Sequence, residues 1–413
     1  MKGFTTRIVH SDRQQPVEHG SLQKPIHATV AYGYEDARDL AAAFQGTKPG
    51  YTYGRQVNPT VEALQDKVST MENGLQTVCF STGMAAIGTA IFALLRQGDH
   101  FVSSSYLFGN TNSLFQSFVV QGIDVSFVDA TDPQAVADAI RPETRLVFVE
   151  TIANPRTQVS ALEEIGALCA ERGLIYFVDN TMTSPYLFQP KTVGASLVIN
   201  SLTKYIGGHG NALGGAVTEM GSYDWSTYPH IYDTYQKGDV SRWAITQIKK
   251  KGLRDFGAAL GPEAAHHIAI GAETLALRMT QQCRNTQALA EYLEAHKRVK
   301  RVYYPGLESH PEHERARKLF RYPGALFSFE LAEDLDLWTY LNALEVIVKS
   351  SNLGDNRTLA IPVAHTIYHE MGPERRASMG IDDSLIRLSV GIEDTDDLLA
   401  DRILDRAFAA AGG

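Results

Sequence analysis

The feature that most constrains the fold is an alternation of short apolar runs with longer helical patterns through the middle of the chain. The runs are rich in Val, Ile and Phe, and they cover residues 100–104, 124–129, 145–150, 174–179 and 197–200. Such runs are typical of buried strands in a mostly parallel sheet. Strands that alternate with helices predict a doubly wound α/β domain, whose ligands bind beyond the carboxyl ends of the strands.

The clearest helix between two of these runs covers residues 160–172. Ser160 and Glu163 have the spacing of a capping box, and Gly173 predicts the C-terminal end. We therefore expect this helix to begin at Ser160.

The pattern changes at about residue 259, where a long helical stretch at 262–296 begins. Three strand-like segments follow it, at 299–306, 324–331 and 385–392. By contrast, the first 60 residues have little periodicity and many turn-forming residues. We predict an extended arm at 1–60 that contacts a neighbouring subunit, a ligand-binding α/β domain at 61–258 and a smaller α/β domain at 259–413.

Composition excludes several classes of function. The chain has 38 Lys and Arg against 47 Asp and Glu in 413 residues, a net charge of −9, and no basic stripe that would bind nucleic acid. The three cysteines have neither zinc-site spacing nor the pattern of a disulfide framework, which favours a cytoplasmic protein. No metal site is expected, because the best histidine pairs, 266–267 and 310 with 313, are predicted to be surface residues.

One segment is long enough to cross a membrane. Residues 73–95 carry no charge, but Asn73, Gly74, Gln76 and the turn at 81–83 interrupt them. We interpret the segment as a short strand, a glycine turn and a buried helix, and we expect no membrane association.

The most informative stretch is 200–210, NSLTKYIGGHG, which begins at the end of an apolar run. Lys204 follows two hydroxyl residues, Ser201 and Thr203, and precedes a pair of glycines. Burial would keep such an amine neutral, and a neutral amine can attack a carbonyl to form a Schiff base. A surface lysine in a glycine-rich loop is the alternative, and this stretch alone does not separate the two.

Asp179 ends the apolar run at 174–179, 25 residues before Lys204. A carboxylate in that position needs a cationic partner. A protonated pyridine nitrogen is such a partner, and its protonation makes the ring an electron sink. A metal-binding or helix-capping aspartate is the alternative.

A third motif, STGMAA at 81–86, places a small-residue turn before a predicted helix. The helix N-terminus at Gly83 and Met84 could bind a phosphate through its unpaired N–H groups. Taken alone the motif is weak, since glycine turns are common in α/β proteins.

Together with three further motifs, these segments resemble the cystathionine γ-synthase-like enzymes of cysteine and methionine metabolism. Those enzymes depend on pyridoxal 5'-phosphate (PLP) and have the aspartate-aminotransferase fold, PLP fold type I. The motifs occur in the family's order along nearly the whole chain: YGR at 53–55 with NPT at 58–60, STGM at 81–84, NP at 154–155, VDNT at 178–181, the lysine stretch at 201–208 and RLSVG at 387–391. The resemblance is to O-acylhomoserine sulfhydrylases and cystathionine γ-synthases.

The resemblance implies roles for the cofactor-binding residues. Lys204 would hold PLP as a Schiff base and then move protons, and Asp179 would pair with the pyridinium nitrogen. Asn154 would lie near the phenolic oxygen, and Phe108 would stack on the ring. The phosphate ligands would be Gly83, Met84, Ser201 and Thr203, with Tyr53 and Arg55 from a neighbouring subunit.

The resemblance also implies that Arg387 clamps the substrate α-carboxylate, and that Asn154, Ser351 and Asn352 contact the substrate. The assembly would then be a homotetramer, a dimer of active dimers.

Five residues depart from the family pattern. Ser196 and Asn200 stand where Asp and His are common, and the other three bear on the reaction. Phe108 stands where tyrosine is more common, so this position lacks a hydroxyl that could protonate a leaving group; Lys204 or Tyr53 would then supply any proton. The loss matters least for a carboxylate, whose conjugate acid has a pKa near roughly 4 to 5. Asn110 replaces the cysteine usual in methionine γ-lyases, and Asn352 replaces a serine.

The resemblance and these departures predict γ-replacement on O-acetyl- or O-succinylhomoserine by a sulfur nucleophile, giving homocysteine or cystathionine. The main alternative is a γ-lyase that acts on another homoserine-derived amino acid, such as a methionine- or canavanine-like compound. A nicotinamide-dependent dehydrogenase is disfavoured, because no GxGxxG motif follows an early strand. A non-catalytic binding protein would lack the Schiff base.

Overall fold

The structure, a computed structural model, describes residues 2–13, 17–400 and 404–412, and a seven-stranded sheet lies at the centre of that part of the chain. Its strands are β1 (Gln76–Phe80), β2 (His100–Ser104), β3 (Asp124–Val128), β4 (Thr144–Glu150), β5 (Ile175–Asp179), β6 (Leu197–Asn200) and β7 (Gly215–Glu219). They are arranged in the order β1-β7-β6-β5-β4-β2-β3. β7 runs antiparallel to both of its neighbours, whereas the pairs from β6 to β3 are parallel. The predicted parallel-sheet domain is confirmed.

Helices cover both faces of this sheet and continue into the C-terminal part. In chain order they are α1 (Phe4–Val9), α2 (Ala37–Gln45), α3 (Pro59–Glu72), α4 (Gly83–Leu94), α5 (Gly109–Val120), α6 (Pro133–Asp138), α7 (Leu162–Arg172), α8 (Ser184–Leu187), α9 (Trp243–Gln247), α10 (Pro262–Glu273), α11 (Leu275–Ala295), α12 (His313–Leu319), α13 (Leu337–Ala343), α14 (Pro373–Ser378), α15 (Thr395–Leu399) and α16 (Leu404–Ala411).

The central strands are largely apolar because both faces of the sheet are buried there. In β4, Val147 and Val149 point into the core on one face, and Leu146 and Phe148 into the core on the other. On the second face, Phe148 packs edge-to-face with its neighbours on β5 and α5, at ring-centroid distances of 5.4 and 5.2 Å. A sheet buried in this way needs largely apolar strands, which explains the short continuous runs in the sequence.

A second sheet of five strands forms the smaller C-terminal layer of the described chain. Its strands are β8 (Val299–Tyr303), β9 (Leu326–Leu331), β10 (Val348–Lys349), β11 (Leu359–Pro362) and β12 (Leu385–Ser389), in the order β10-β11-β12-β9-β8. A separate apolar core joins this sheet to α11, α13 and α16. The two sheets match the predicted fold class, whereas the domain boundaries at residues 60 and 258 stay predictions.

The uncharged segment at 73–95 forms β1, a turn and α4, as predicted. Among the described residues, no helix has the length and apolar character needed to cross a bilayer.

Four local predictions need correction. The helix after β4 begins at Leu162, and Ser160 donates its hydroxyl hydrogen bond to the Glu150 carbonyl at 2.7 Å, so the capping box is absent. The stretch at 262–296 is two helices, because Thr274 leaves helical geometry at φ −101° and ψ 6°. His310 is buried, not on the surface, and burial lowers its pKa to about 4. The arm is not wholly extended, since it contains α1 and α2.

A buried carboxyl lies below the sheet at the end of α3. Oε1 of Glu72 accepts hydrogen bonds from Asn180 and Asn200, at 3.0 and 2.5 Å. In the described structure, neither Oε2 of Glu72 nor Oδ1 of Asn200 has a hydrogen-bond partner. Burial raises the pKa of Glu72 to about 7. Near neutral pH the protonated and ionised forms of this carboxyl are therefore both populated.

We expect Glu72→Gln to remove a pH-dependent loss of stability. A carboxyl whose pKa is raised on folding stabilises the protein at low pH, and this stabilisation is lost between the unfolded pKa, near 4.5, and the folded pKa, near 7. The loss amounts to about 3 kcal/mol at 1.36 kcal/mol per pKa unit. The melting temperature of the variant minus that of the wild type should rise from pH 4.5 to 7 and then level off. The exposed Glu308→Gln is the matched control, and the same flat difference for both variants would contradict the prediction.

Candidate active site

A cavity of about 770 Å³ opens at the carboxyl ends of β4, β5 and β6, beside the N-terminus of α4. Residues of the second sheet and its loops close the opposite wall. Of the residues predicted from the sequence, those that line the cavity are Gly83, Met84, Phe108, Asn154, Asp179, Ser201, Thr203, Lys204, Ser351, Asn352 and Arg387. Tyr53 and Arg55 do not line it.

The turn that opens α4 has the geometry of an anion site. Thr82 caps the helix by accepting a hydrogen bond from the Ala85 amide at 3.0 Å. The amides of Gly83 and Met84 belong to the first helical turn, where no intrahelical acceptor exists. A Cβ at Gly83 would lie 2.9 Å from the Cβ of Ser201, so only glycine lets the turn approach the Ser201 hydroxyl this closely. These amides and hydroxyl fit a phosphate.

The hydroxyl of Thr203, which we predicted to bind the phosphate, is hydrogen-bonded to the protein backbone. Its hydroxyl donates to the Gly214 carbonyl at 3.2 Å and accepts from the Gly214 amide at 3.0 Å. These bonds join the lysine loop to the start of β7. A phosphate contact from Thr203 would require its O–H to turn away from the Gly214 carbonyl, because a phosphate oxygen accepts hydrogen bonds.

Two carboxyls lie side by side at the base of the cavity. Asp179 ends β5 and pairs across the sheet with Glu150, which ends β4. Asp179 accepts a hydrogen bond from the Thr181 amide at 2.9 Å, and Glu150 accepts one from the Phe108 amide at 3.0 Å. Burial raises the pKa of both, and the charge of Asp179 raises the pKa of Glu150 further. A cationic ring nitrogen beside Asp179 would stabilise its ionised form.

Sequence reasoning missed Glu150, although a signal was present. Glu150 ends the apolar run at 145–150 just as Asp179 ends the run at 174–179. The argument applied to Asp179, that a carboxylate at the end of a buried strand needs a partner, applies to both residues.

The side chain of Lys204 points toward the second sheet. Its Nζ donates a hydrogen bond to Oδ1 of Asn352 at 2.8 Å. Burial, together with the positive charge of Arg387, lowers the pKa of Lys204 to about 8. A substantial neutral fraction therefore exists near neutral pH, as attack on a carbonyl requires.

Arg387 is fully enclosed on β12. Its guanidinium donates to Oδ1 of Asn154 at 3.3 Å and to the carbonyls of Ser351 and Asn352, both at 3.0 Å. Its Nε is buried and has no partner among the described residues. A buried cation with an unused donor at the cavity wall fits a carboxylate ligand.

Tyr53 and Arg55 lie outside this chain's cavity. The Tyr53 side chain is 44% exposed, and the Arg55 guanidinium donates to the Arg254 carbonyl and stacks 5.5 Å from the Tyr53 ring. Their predicted role in a neighbouring subunit's site stays a prediction.

Comparison with known protein families shows to which family this chain belongs. The profile described as "Cys/Met metabolism PLP-dependent enzyme" matches residues 5–409. The chain belongs to this family. It is therefore a PLP-dependent enzyme of cysteine and methionine metabolism, a family of γ-elimination and γ-replacement enzymes.

Individual family members differ in reaction. L-methionine gamma-lyase of Fusobacterium nucleatum is 36% identical over 97% of this chain and 96% of its own length. O-succinylhomoserine sulfhydrylase of Pseudomonas aeruginosa is 36% identical over 98% and 95%. The structure of a putative O-acetylhomoserine (thiol)-lyase of Campylobacter jejuni superposes with a TM-score of 0.91, at 28% identity and with coverage of 99% and 100%, and it carries a pyridoxyl-lysine adduct.

Proposed function

We propose that this enzyme catalyses γ-replacement on an O-acylated homoserine with a sulfur nucleophile. The observation that carries the proposal is Phe108, which lines the cavity with a ring that has no hydroxyl. The described lining residues include no tyrosine, so a phenol could reach a leaving group in this cavity only from a neighbouring subunit, through its Tyr53. A carboxylate leaves without protonation, whereas a thiolate is a far stronger base.

Lys204 carries the covalent and proton-transfer roles in this proposal. Its Nζ would bind the PLP aldehyde, and once released by the substrate amine it would take the Cα proton. It would have to pass that proton to the bound cofactor before, neutral again, it could take a Cβ proton. When bound, PLP supplies an electron sink that stabilises negative charge at Cα. Asn352 accepts a hydrogen bond from Nζ at 2.8 Å, so it would orient the amine between these positions.

The remaining residues hold the reacting groups. Asp179 would keep the proton on the ring nitrogen, and Phe108 would cover one face of the ring. Gly83, Met84 and Ser201 would bind the phosphate. Arg387 would hold the substrate carboxylate through its unused Nε and a neighbouring NH group.

The test is a comparison of substrates with the purified holoenzyme. O-acetylhomoserine, O-succinylhomoserine, methionine and canavanine are each incubated with and without sulfide, and homocysteine and 2-oxobutanoate are measured. We expect an ester to be consumed with sulfide-dependent homocysteine formation. Consumption of methionine or canavanine alone, with 2-oxobutanoate as product, would replace the proposal by a γ-lyase.

We also propose that each site is completed by Tyr53 and Arg55 of a neighbouring subunit within a homotetramer. Their exposure and distance from this chain's own cavity support the proposal.

Mixing two inactive variants tests the shared site. Arg55→Ala and Lys204→Ala each lack one part, but a mixed dimer contains one site with Lys204 from one subunit and Arg55 from the other. We expect activity to reappear after the two variants are unfolded and refolded together, at about a quarter of the wild-type value for random pairing into dimers with two sites. No recovery in a folded, mixed oligomer would show that the site is built from one chain.

A further inference from the structure

The charges that line the cavity lie at its base. In the described chain they are Glu150, Asp179, Lys204 and Arg387. Arg387 is 2% and Glu150 7% exposed. The proposed function assigns Arg387 to the substrate carboxylate and lets the substrate amine take the place of Lys204, so both polar groups of an amino acid bind deep in the cavity.

The mouth of the cavity has a different composition. The lining residues that are solvent-exposed are Asn110, Gly210, Asn211, Leu213 and Ser351. None of them carries a charge. With the carboxylate and amine held at the base, the γ-substituent of the substrate must extend toward these residues.

An exposed arginine beside the mouth, Arg357, is already paired. Arg357 donates to the His209 carbonyl, next to Gly210, at 3.3 Å. The same side chain donates to both carboxylate oxygens of Asp355, at 2.8 and 3.3 Å. Asp355 neutralises this arginine, so it offers little attraction to an anion in the cavity.

We propose that the mouth selects substrates whose γ-substituent carries no negative charge. This inference rests on the proposed function and narrows it to a neutral acyl ester, such as the acetyl ester, over one that ends in a carboxylate, such as the succinyl ester. A free carboxylate at the mouth would be partly desolvated without a cationic partner from this chain, and Arg55 of a neighbouring subunit is assigned to the phosphate. It would also share the cavity with Asp179 and Glu150, and like charges in one site are unfavourable.

The test measures kcat/KM of the holoenzyme for O-acetyl- and O-succinylhomoserine at a fixed sulfide concentration. We expect the acetyl ester to be favoured by about tenfold or more, the factor of a 1.4 kcal/mol difference. Equal values, or a preference for the succinyl ester, would overturn the inference while leaving the proposed function intact.

A gain of charge at the mouth provides the second arm. Asn211→Arg should raise kcat/KM for the succinyl ester about fivefold relative to the acetyl ester, as expected for one partly exposed ion pair. Asn211→Gln is the matched control and should leave that ratio unchanged. The same shift in both variants would show that side-chain size, and not charge, sets the preference.

A failure of the proposed function can be distinguished from a failure of this inference by measuring binding. If neither ester is consumed, calorimetric titration of the holoenzyme with each ester gives the two dissociation constants. Tighter binding of the acetyl ester would still support selection at the mouth, and equal or tighter binding of the succinyl ester would contradict it.

Discussion

Lys204→Ala is expected to yield a colourless protein whose turnover is about 10⁴-fold lower, the upper range for a positioned proton-transfer group. The variant lacks both the amine that attaches PLP and the base at Cα. It should stay folded, because Nζ makes one hydrogen bond, to the Asn352 side chain, and the backbone of the loop is held separately. Arg278 supplies that support by donating to the Tyr205 and Ile206 carbonyls at 2.7 and 3.1 Å.

The measurement combines absorption spectra with steady-state rates after incubation with PLP. Lys297→Ala is the matched control, since Lys297 is exposed in the turn after α11. That control should remain yellow and bleach with borohydride, as the wild type does. A yellow, borohydride-sensitive Lys204→Ala protein would place the covalent attachment on another lysine.

Arg387→Ala should lower kcat/KM by about 10² to 10³, because removing one partner of a buried charge pair costs about 3 to 4 kcal/mol. Arg387→Lys should recover little, because an ammonium group cannot form the bidentate pair. The positive charge of Arg387 lowers the pKa of Lys204. Arg387→Ala removes that charge, so we expect it to raise the pKa of Lys204.

The control for Arg387 is Arg317→Ala, which removes an exposed arginine paired with Glu314. We expect Arg387→Ala to retain bound PLP with a raised KM, and Arg317→Ala to match the wild type. Loss of PLP from Arg387→Ala with an unchanged KM for the remaining holoenzyme would mean that Arg387 holds the 351–352 loop and does not bind substrate.

The strands and the placement of several site residues could be predicted from the sequence, because burial requires apolar residues at neighbouring positions. A strand covered on both faces is largely apolar, and β4, β5 and β6 each end in a carboxyl or amide residue. Asp179 and the lysine loop after β6 were found in this way, and the structure brings both to one cavity. Arg387 required the family resemblance, because an arginine inside an apolar strand has no local mark of its role.

The features that were missed depend on contacts between distant segments. His310 is buried beside Thr157, at 3.4 Å, although its own neighbours in sequence are polar. Ser160 bonds to the Glu150 carbonyl, so a tertiary contact replaced the expected cap. Glu150 itself is stabilised by an amide 42 residues earlier, at Phe108. Local periodicity does not encode these partners.

The position of β1 at the edge of the large sheet limits the order in which the sheet can form during synthesis. β1 pairs with β7 and is separated from the other strands by it. The turn between β1 and α4, where we predict phosphate binding, is also enclosed by β7, since a Cβ at Gly215 would lie 2.2 Å from the Thr82 carbonyl. A nascent chain that ends before residue 215 therefore exposes β1 without its neighbour and contains only part of the predicted cofactor site. Until β7 leaves the ribosome, this apolar strand is a target for chaperones or for unwanted strand pairing.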